Sequence, residues 1–417
     1  MKEWLDHRRK WIERLPLNYV VILVTMVVMY ISLIKTSWGA ECLFLALLLI
    51  GFNTLCERRT VILVMPTLLL CGIVLVLLVV SGRMGEVDFN APIGHALKYV
   101  YILFTHAILN ATSTLDNKKK RKVVILVFLT YIVSCLVSLY FVIFEDAYAI
   151  RYFEDKGFLY VLDFNQMYAL PIIFAVVVCG IFSTMKNLKS VLVFLPFLIV
   201  SFVCICLSLY TTALLLTLLG CGLASLFALF YRSKKWFFIT IGALFLIVLI
   251  CVIFSQPVAD LLYAMTEKLN WLVRARVRAV IEILFGTDHE NWYAPDRRNE
   301  LAGFSLATFY ENPLIGVGYT GFGYEVIGNH HEWYDMLGTF GIVGVALFLV
   351  VILNMVIQVV NSANNLIDLG CFVIALVMLV VLGFLNPCLN IPVLLAVFVI
   401  APNISTLVTE KKERKEG

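Results

Sequence analysis

Long runs of apolar residues, separated by short polar segments, make up most of the chain. A helix needs about 20 apolar residues to cross the hydrocarbon of a bilayer, because lipid offers no partners for exposed backbone groups. The pattern predicts twelve such helices, near 17–34, 39–55, 60–80, 94–113, 123–144, 164–184, 191–209, 212–231, 236–254, 336–360, 367–386 and 391–408. We therefore predict an all-α polytopic integral membrane protein.

One connection is far longer than the others and covers 255–335. Loops of this length are usually functional or disordered, and the periodic apolar residues of this one favour a folded structure. Helical spacing predicts one helix within 258–286 and a second over 300–311, which Asn312 and Pro313 end. The chain is thereby divided into transmembrane helices 1–9 in 1–254, the long loop in 255–335, transmembrane helices 10–12 in 336–408, and a tail in 409–417.

The positions of Lys and Arg predict the orientation of the chain. Of the 32 such residues, 21 lie in the segments that share one side of the membrane with the N-terminus, including the run at 118–122. Because short cytoplasmic loops are enriched in basic residues, we predict that both termini are cytoplasmic and that the long loop is external. The first apolar run is too long for the hydrophobic region of a cleaved signal peptide, so we expect it to be retained as a span.

Composition narrows the class of protein further. The chain is 62% hydrophobic and only 14% charged, which lies outside the range of soluble domains. Its formal net charge of +4 is too small to indicate a nucleic-acid partner. Nearly all of the eleven cysteines fall in or beside predicted spans, so we interpret them as packing residues rather than as a disulfide framework.

Two adjacent histidines, His330 and His331, close the long loop. Imidazole titrates near neutral pH and can take a proton from a hydroxyl, so one interpretation is a general base. A second is a pair of hydrated loop histidines, and a third is a metal site with Glu332 and Asp335. Adjacent side chains point in different directions, and no HxxxH or HExxH spacing occurs, so we predict neither a metal nor another cofactor.

The same loop carries a cluster of arginines. They are Arg274, Arg276, Arg278, Arg297 and Arg298. Positive charge is normally sparse on the outer face, and clustered arginine suits bidentate binding of phosphate or carboxylate. The alternative is a solvated basic surface that contacts lipid headgroups.

A few polar residues fall within the predicted spans. We expect Asn110, Asn354, Asp163 and Asn165 to form hydrogen bonds between helices, and Lys98 to extend its amine to the outer interface. Asp163 and Asn165 lie at the head of the sixth span. No series of buried carboxylates indicates an ion-coupled relay, which argues against a secondary transporter.

The segment 298–344 resembles the O-antigen ligase and O-antigen polymerase (Wzy-type) superfamily. Members share an arginine, a later NPLxGxG turn, and a histidine just before a span that opens with GxxG. The corresponding parts of this chain are Arg298, the turn at 312–318, His330 and the segment 341–344. Asp163 and Asn165 also match the DxN element of many members, and the architecture of about a dozen spans with one large late loop is similar.

This resemblance implies a GT-C-like membrane glycosyltransferase that acts outside the membrane on undecaprenyl-diphosphate-linked sugars. His330 would then be the base that activates a sugar hydroxyl, and Arg298 would neutralise the leaving diphosphate. Arg274, Arg278, Arg297, His331, Asn165 and Asp163 would contact the diphosphate or the sugar. Such a protein would reside in the cytoplasmic (inner) membrane of a bacterium. It would work with the lipid bilayer, other polysaccharide-assembly proteins and a chain-length regulator.

Two departures from the family pattern concern substrate contacts. His331 follows the histidine where members usually have Asn, Ser or Gln, and Thr211 with Thr212 replaces the Ser-Arg pair between the seventh and eighth spans. The leading hypothesis is a polymerase that joins repeat units into O-antigen, capsule or exopolysaccharide. The alternatives are a ligase that moves the finished glycan to another acceptor and a lipid-linked oligosaccharide flippase.

Overall fold

A computed structural model describes most of the chain after the first forty residues. The described residues are 43–50, 59–83, 90–113, 115–144, 162, 164–184, 188–208, 210–267, 274, 277–278, 281, 295–319, 325–363 and 365–408. The predicted first span, 17–34, lies outside these residues. Of the predicted second span only 43–50 is described, and it is helical.

Helices account for the ten remaining predicted spans, and no strand occurs in the described ranges. Nine of these spans are α1 (Arg59–Arg83), α2 (Asn90–Ser113), α3 (Asn117–Phe144), α4 (Phe164–Thr184), α5 (Leu188–Leu207), α6 (Thr211–Arg232), α7 (Lys234–Ile253), α10 (Glu332–Ser362), which is interrupted at Gly341, and α11 (Leu366–Leu385). The last predicted span is a series of short pieces: α12 (Ile391–Leu395), a π-helical turn (Ala396–Ile400), a 3₁₀ turn (Ala401–Asn403) and α13 (Ser405–Val408).

The described part of the long loop contains two helices, of which the first covers only 258–266 of the helix predicted within 258–286, since most of the later residues lie outside the described ranges. The two helices are α8 (Ser255–Thr266) and α9 (Pro295–Glu311), the second of which ends directly before Asn312. Six helices are long and apolar enough to cross a membrane in the part of the chain that the structure describes. They are α1, α3, α4, α6, α10 and α11. The chain is therefore an all-α protein with several membrane-spanning helices.

The core of the bundle forms around α4, which is buried on almost every side. It packs against α5, α6, α11 and α12. Its contact with α6 is close, because a Cβ atom on Gly220 would come within 2.5 Å of the Ala175 Cβ. Small residues of this kind let two helix backbones approach within a membrane. By contrast, α7 packs mainly on α6 and α8 among the described helices and exposes apolar side chains around its circumference, as a lipid-facing helix does.

Contacts between helix termini show which of them lie together at each end of the bundle. The starts of α2, α6 and α10 and the end of α11 meet at one end, which we call the site end. At the opposite end, Asp368 accepts hydrogen bonds from the Ser405 backbone N–H (2.8 Å) and hydroxyl (2.6 Å). The buried Lys120, in the basic run at 118–122, interacts electrostatically with Asp368. The basic run thus lies at the end of the bundle opposite the site end.

The helix α10 is broken at Gly341, which has φ 61° and ψ −166°. In a straight helix Trp333 and Phe348 would lie about 22 Å apart, because each residue advances about 1.5 Å. Their ring centroids are 6.1 Å apart. The half-helix 332–340 therefore folds back against the half-helix 342–362, and the segment that the apolar pattern predicted as one span has two directions.

Candidate functional site

The helix α9 supplies one wall of the site end. Its buried residues Leu301, Ser305 and Thr308 recur at helical spacing and face α10. The Thr308 hydroxyl donates a 2.6 Å hydrogen bond to the carbonyl of Val326. The Ser305 hydroxyl accepts a 3.0 Å hydrogen bond from the backbone N–H of Gly328. Both partners lie in the segment 325–330, at the end of the long loop. The helix thereby fixes the path of the chain toward His330.

The turn at 312–318 completes the broken helix α10 through backbone hydrogen bonds. The N–H groups of Ile342 and Val343, at the start of the second half-helix, donate to the carbonyls of Pro313 (2.9 Å) and Leu314 (3.0 Å). The last carbonyls of the first half-helix accept in return: Gly338 from Val317 at 3.1 Å, and Thr339 from Gly318 at 2.7 Å. A helix break leaves such groups without intrahelical partners, and here the turn supplies them.

Glycine is required where this turn meets the helix break. Gly316 and Gly341 both have left-handed φ values, of 64° and 61°. A Cβ atom on Gly341 would come within 2.5 Å of the Leu314 carbonyl carbon, and one on Gly316 would overlap the backbone of Thr339. The two glycine-containing motifs, NPLIGVG and GIVG, therefore form one structural unit rather than two separate signals.

Asp335, in the first half-helix of α10, is fully buried and organises the backbone around His330. Its Oδ1 accepts from the Ser305 hydroxyl (2.6 Å) and from the Asn329 backbone N–H (3.1 Å), and its Oδ2 accepts from the His331 backbone N–H (3.1 Å). The carboxylate thus binds the residues on both sides of His330. Asn329 has a positive φ of 55°, a conformation that needs such support in a residue other than glycine.

The two histidines have different environments. The His330 side chain is exposed. The His331 side chain is only 8% exposed, and its Nδ1 lies 2.5 Å from the carbonyl oxygen of Phe384, at the end of α11. A carbonyl can only accept, so Nδ1 carries the proton in this contact and His331 ties α10 to α11. The predicted role of His331 in substrate binding stays a prediction, and little of its side chain is accessible.

Glu332 joins three parts of the site end. It is 1% exposed, and its Oε1 forms an ion pair of 2.8 Å with the Lys98 Nζ from α2. Its Oε2 accepts from the backbone N–H groups of Cys388 (2.8 Å) and Leu389 (3.1 Å), in the connection that follows α11. Lys98 therefore pairs with a buried carboxylate of the protein, and its expected extension to the outer membrane interface stays a prediction.

An aromatic cluster lies against the first half-helix of α10. The phenol of Tyr319 contacts the His95 ring, with the Oη 3.5 Å from the imidazole Nδ1, and Phe340 packs edge-on against Tyr319 and Tyr99. Tyr319 is fully buried, and this burial raises the pKa of its phenol far above the ordinary value. The cluster therefore holds the end of the glycine-rich turn against α2.

Two arginines of the predicted cluster, Arg274 and Arg278, both contact the end of α8. The Arg274 Nη2 lies 2.5 Å from the carbonyl oxygen of Glu267. The Arg278 Nε donates to the Thr266 hydroxyl at 2.9 Å, and its guanidinium lies 5.6 Å from the Tyr263 ring centroid. Cations at a helix C-terminus interact favourably with its last carbonyls, so these residues stabilise α8 in this structure. Their predicted contact with diphosphate stays a prediction.

The other predicted site residues are described only in part or not at all. Arg297 and Arg298 lie in the first turn of α9, and Asn165 lies in the first turn of α4, but the side chains of all three lie outside the described residues. Asp163 lies outside them entirely. The backbone of α9 places Arg298 about 10 Å along the helix axis from Ser305.

At the start of α6, where Thr211 and Thr212 replace the Ser-Arg pair of the family pattern, the Thr212 hydroxyl accepts a 3.1 Å hydrogen bond from the Asn386 amide.

Several buried polar residues of α2 did not figure in the sequence argument. His95, Tyr99 and His106 lie within one face of this helix, and that spacing is the signal that could have revealed them. The His106 Nδ1 lies 2.6 Å from the Thr67 hydroxyl of α1, and its Nε2 lies 2.8 Å from the Gln358 amide nitrogen of α10.

Two of the asparagines predicted to connect helices gave different results. Asn354 does so, by donating to the Leu63 carbonyl of α1. The Asn110 amide nitrogen is buried and has no hydrogen-bond partner in the described part of the chain.

Comparisons with known proteins add no assignment. No protein-family model matches the chain. A search of the curated proteins likewise found no match. Within the described ranges, no group of three or more His, Cys, Asp and Glu side chains is placed to hold a metal ion. At the site end, the exposed His330 lies on a backbone segment that Asp335 fixes. The buried ion pair of Glu332 with Lys98 lies beside it.

Proposed function

We propose that this chain is a polysaccharide polymerase that joins undecaprenyl-diphosphate-linked oligosaccharide repeats at the outer face of the bacterial cytoplasmic membrane. The proposal includes a GT-C-like bundle of twelve transmembrane helices with cytoplasmic termini. The observation that carries it is the position of His330. This exposed imidazole lies between two residues whose backbone N–H groups bind the buried carboxylate of Asp335.

The arrangement of the motif residues supports the proposal. Two of the segments that resemble the superfamily, the NPLIGVG turn and the GIVG segment, meet at the helix break of α10, and the histidine directly precedes the first half of that helix. Segments that matched short motifs only by chance would not be expected to pack against each other. The site end also lies opposite the basic run at 118–122, which supports an external location of the site end through the positive-inside rule.

The depth of His330 suits a lipid-linked substrate. The second half-helix of α10, 342–362, is about 31 Å long, close to the thickness of the bilayer hydrocarbon. The neighbouring residue His331 contacts the Phe384 carbonyl, in the last turn of the 20-residue helix α11. The contact of His331 with the last turn of α11 supports a location of His330 near the membrane surface, where the diphosphate of a polyprenyl carrier would lie.

The proposed reaction is a direct displacement. The acceptor sugar hydroxyl attacks the anomeric carbon of the donor while the bond from that carbon to the diphosphate oxygen breaks, and the diphosphate leaves with the electron pair. His330 takes the hydroxyl proton, and Arg298 neutralises charge on the leaving group. A single displacement inverts the anomeric configuration and uses neither a nucleotide nor a redox step.

The test is the distribution of glycans on the undecaprenyl carrier in cells that express single variants. His330→Ala should abolish chain extension and leave single repeats on the lipid. Glu325→Ala, at an exposed position of the same loop, provides the control and should leave chain extension intact. If His330→Ala cells still make full-length polymer at normal protein levels, the assignment of the base is wrong.

A ligase would use the same donor and the same base, so the accumulated glycan separates the two activities. Loss of a polymerase leaves single repeats on the carrier, whereas loss of a ligase leaves long chains on it. If long chains accumulate in the His330→Ala strain, the protein is a ligase rather than a polymerase, and His330 remains its catalytic residue.

A further inference from the structure

The turn that completes α10 also exposes large apolar side chains. Leu314 and Ile315 are 67% and 72% exposed, and Tyr310, in the last turn of α9, is 74% exposed. These residues belong to the long loop that the sequence places outside the membrane. Large apolar side chains clustered on a surface commonly mark contact with a partner or a membrane.

Backbone hydrogen bonds fix the depth of this turn relative to α10. Leu314 accepts from the N–H of Val343, and the carbonyl of the preceding Pro313 accepts from that of Ile342. Ile342 and Val343 are themselves half-exposed and begin the half-helix 342–362. Because that half-helix is about as long as the hydrocarbon is thick, its first residues lie at the hydrocarbon boundary, and the turn lies at the same depth.

The exposed surface is also continuous with the lipid-facing side of α10. Below Ile342 and Val343, the same helix exposes Leu347, Val350 and Leu353, as a membrane-spanning helix does. The polar neighbours of the turn, Glu311 and Asn312, are exposed as well, as expected beside headgroups. An apolar tip with polar flanks is the composition of a segment that lies in a membrane interface.

We propose that the turn at 312–316 is a membrane-contact surface, with the side chains of Leu314 and Ile315 buried in bilayer lipid at the boundary between headgroups and hydrocarbon. The occupant is bulk lipid, and the proposal does not depend on the proposed enzymatic activity. The turn would hold α9, and with it the segment leading to His330, against the membrane surface. The long loop would then be partly embedded rather than wholly aqueous.

Depth measurements by electron paramagnetic resonance test this directly. A keto amino acid placed at 315, and separately at 314, carries a nitroxide label without changing any cysteine of the full chain. The protein is reconstituted in phosphatidylethanolamine–phosphatidylglycerol vesicles, and label accessibility to oxygen and to a neutral nickel chelate is measured. A label at Leu353 reports the hydrocarbon, and a label at the exposed Glu325 reports water.

We expect the ratio of oxygen to nickel-chelate accessibility at 315 to exceed that at 325 by about tenfold, because oxygen enters lipid and the polar chelate does not. The label at 314 should behave in the same way and report a shallower depth than the label at 353. Ratios at 314 and 315 equal to that at 325 would overturn the proposal. A signal immobilised at both positions and inaccessible to both reagents would also overturn it, since a protein partner would then cover the turn.

Discussion

Ser305 and Asp335 lie on different helices, thirty residues apart, and their side chains form a buried hydrogen bond of 2.6 Å. The same carboxylate binds the backbone on either side of His330. The bond therefore links α9, which carries Arg298, to the segment that carries the exposed imidazole. Two parts of the proposed catalytic apparatus share one rigid support.

Replacing Asp335 by Ala should lower the free energy of unfolding by at least about 3 kcal/mol, because three buried donors lose their acceptor and each costs about 1–3 kcal/mol. Ser305→Ala removes one of these bonds and also the acceptor of the Gly328 backbone N–H, so it should cost at least about 1.5 kcal/mol. Unfolding of the purified protein in detergent, followed by intrinsic fluorescence, measures both. Glu300→Ala, at an exposed position of α9, is the control and should stay within about 0.5 kcal/mol.

Asp335→Asn separates positioning from stability. The amide keeps one acceptor oxygen, and an NH₂ group replaces the other. Depending on the orientation of the amide, this NH₂ group faces either the two donors that now bind Oδ1 or the His331 N–H that now binds Oδ2. Chain extension should therefore fall more than the amount of folded protein does. Full extension activity in this variant would contradict a positioning role for Asp335.

Gly341→Ala and Gly316→Ala should each destabilise the fold. An L-residue at these left-handed φ values costs about 1–2 kcal/mol, and overlap of the new methyl group with backbone atoms adds to that cost. We expect a lower yield of monodisperse protein on size-exclusion chromatography and a lower unfolding midpoint. Both variants behaving like the wild type would mean that the turn and the helix break do not pack as described.

The matched control for these glycines is Gly303→Ala in α9, where a Cβ atom would meet no atom within 4 Å. Alanine is favoured over glycine in a helix by about 0.5–1 kcal/mol. This variant should therefore unfold at the same or a slightly higher temperature.

Lys98→Met should lower the free energy of unfolding by about 3–5 kcal/mol, since it leaves the buried Glu332 carboxylate without its cation. The control is Lys119→Met, which breaks an ion pair of 3.7 Å with Asp116 at side-chain exposures of 44% and 58%. Exposed pairs contribute little, so the control should change stability by less than about 1 kcal/mol. Equal effects of the two substitutions would show that Glu332 is hydrated rather than buried.

Cys388 should report the integrity of the Glu332 contact. Burial raises the pKa of its thiol well above the ordinary value, and the Glu332 charge raises it further while Lys98 lowers it. A raised pKa leaves almost no thiolate near neutral pH, and the side chain is inaccessible, so a maleimide should not modify it in the folded protein. Glu332→Ala should release the Cys388 and Leu389 backbone, and mass spectrometry of the peptide should then detect the adduct. Rapid labelling of the unmodified chain would contradict the buried position.

The helices themselves were largely predictable, because their signals are local. Apolar length and terminal charges placed the ends of α4, α6 and α11 within a few residues, and Asn312 with Pro313 marked the end of α9. The site was predictable only as a set of sequence motifs. Neither the role of Asp335 as an acceptor nor the partner of Lys98 could be read from the sequence, since each depends on a residue far away along the chain.

The sequence by itself determined that this is an all-α membrane protein, which segments are helical, and where histidine and arginine gather. These features follow from hydropathy and spacing, which each segment carries independently of the others. Only the tertiary structure decided that α10 folds back at Gly341, that His331 is buried while His330 is exposed, and that Glu332 binds Lys98. Apolar length predicts a helix but not its direction, and a buried charge takes a partner according to the packing of distant helices rather than its neighbours in sequence.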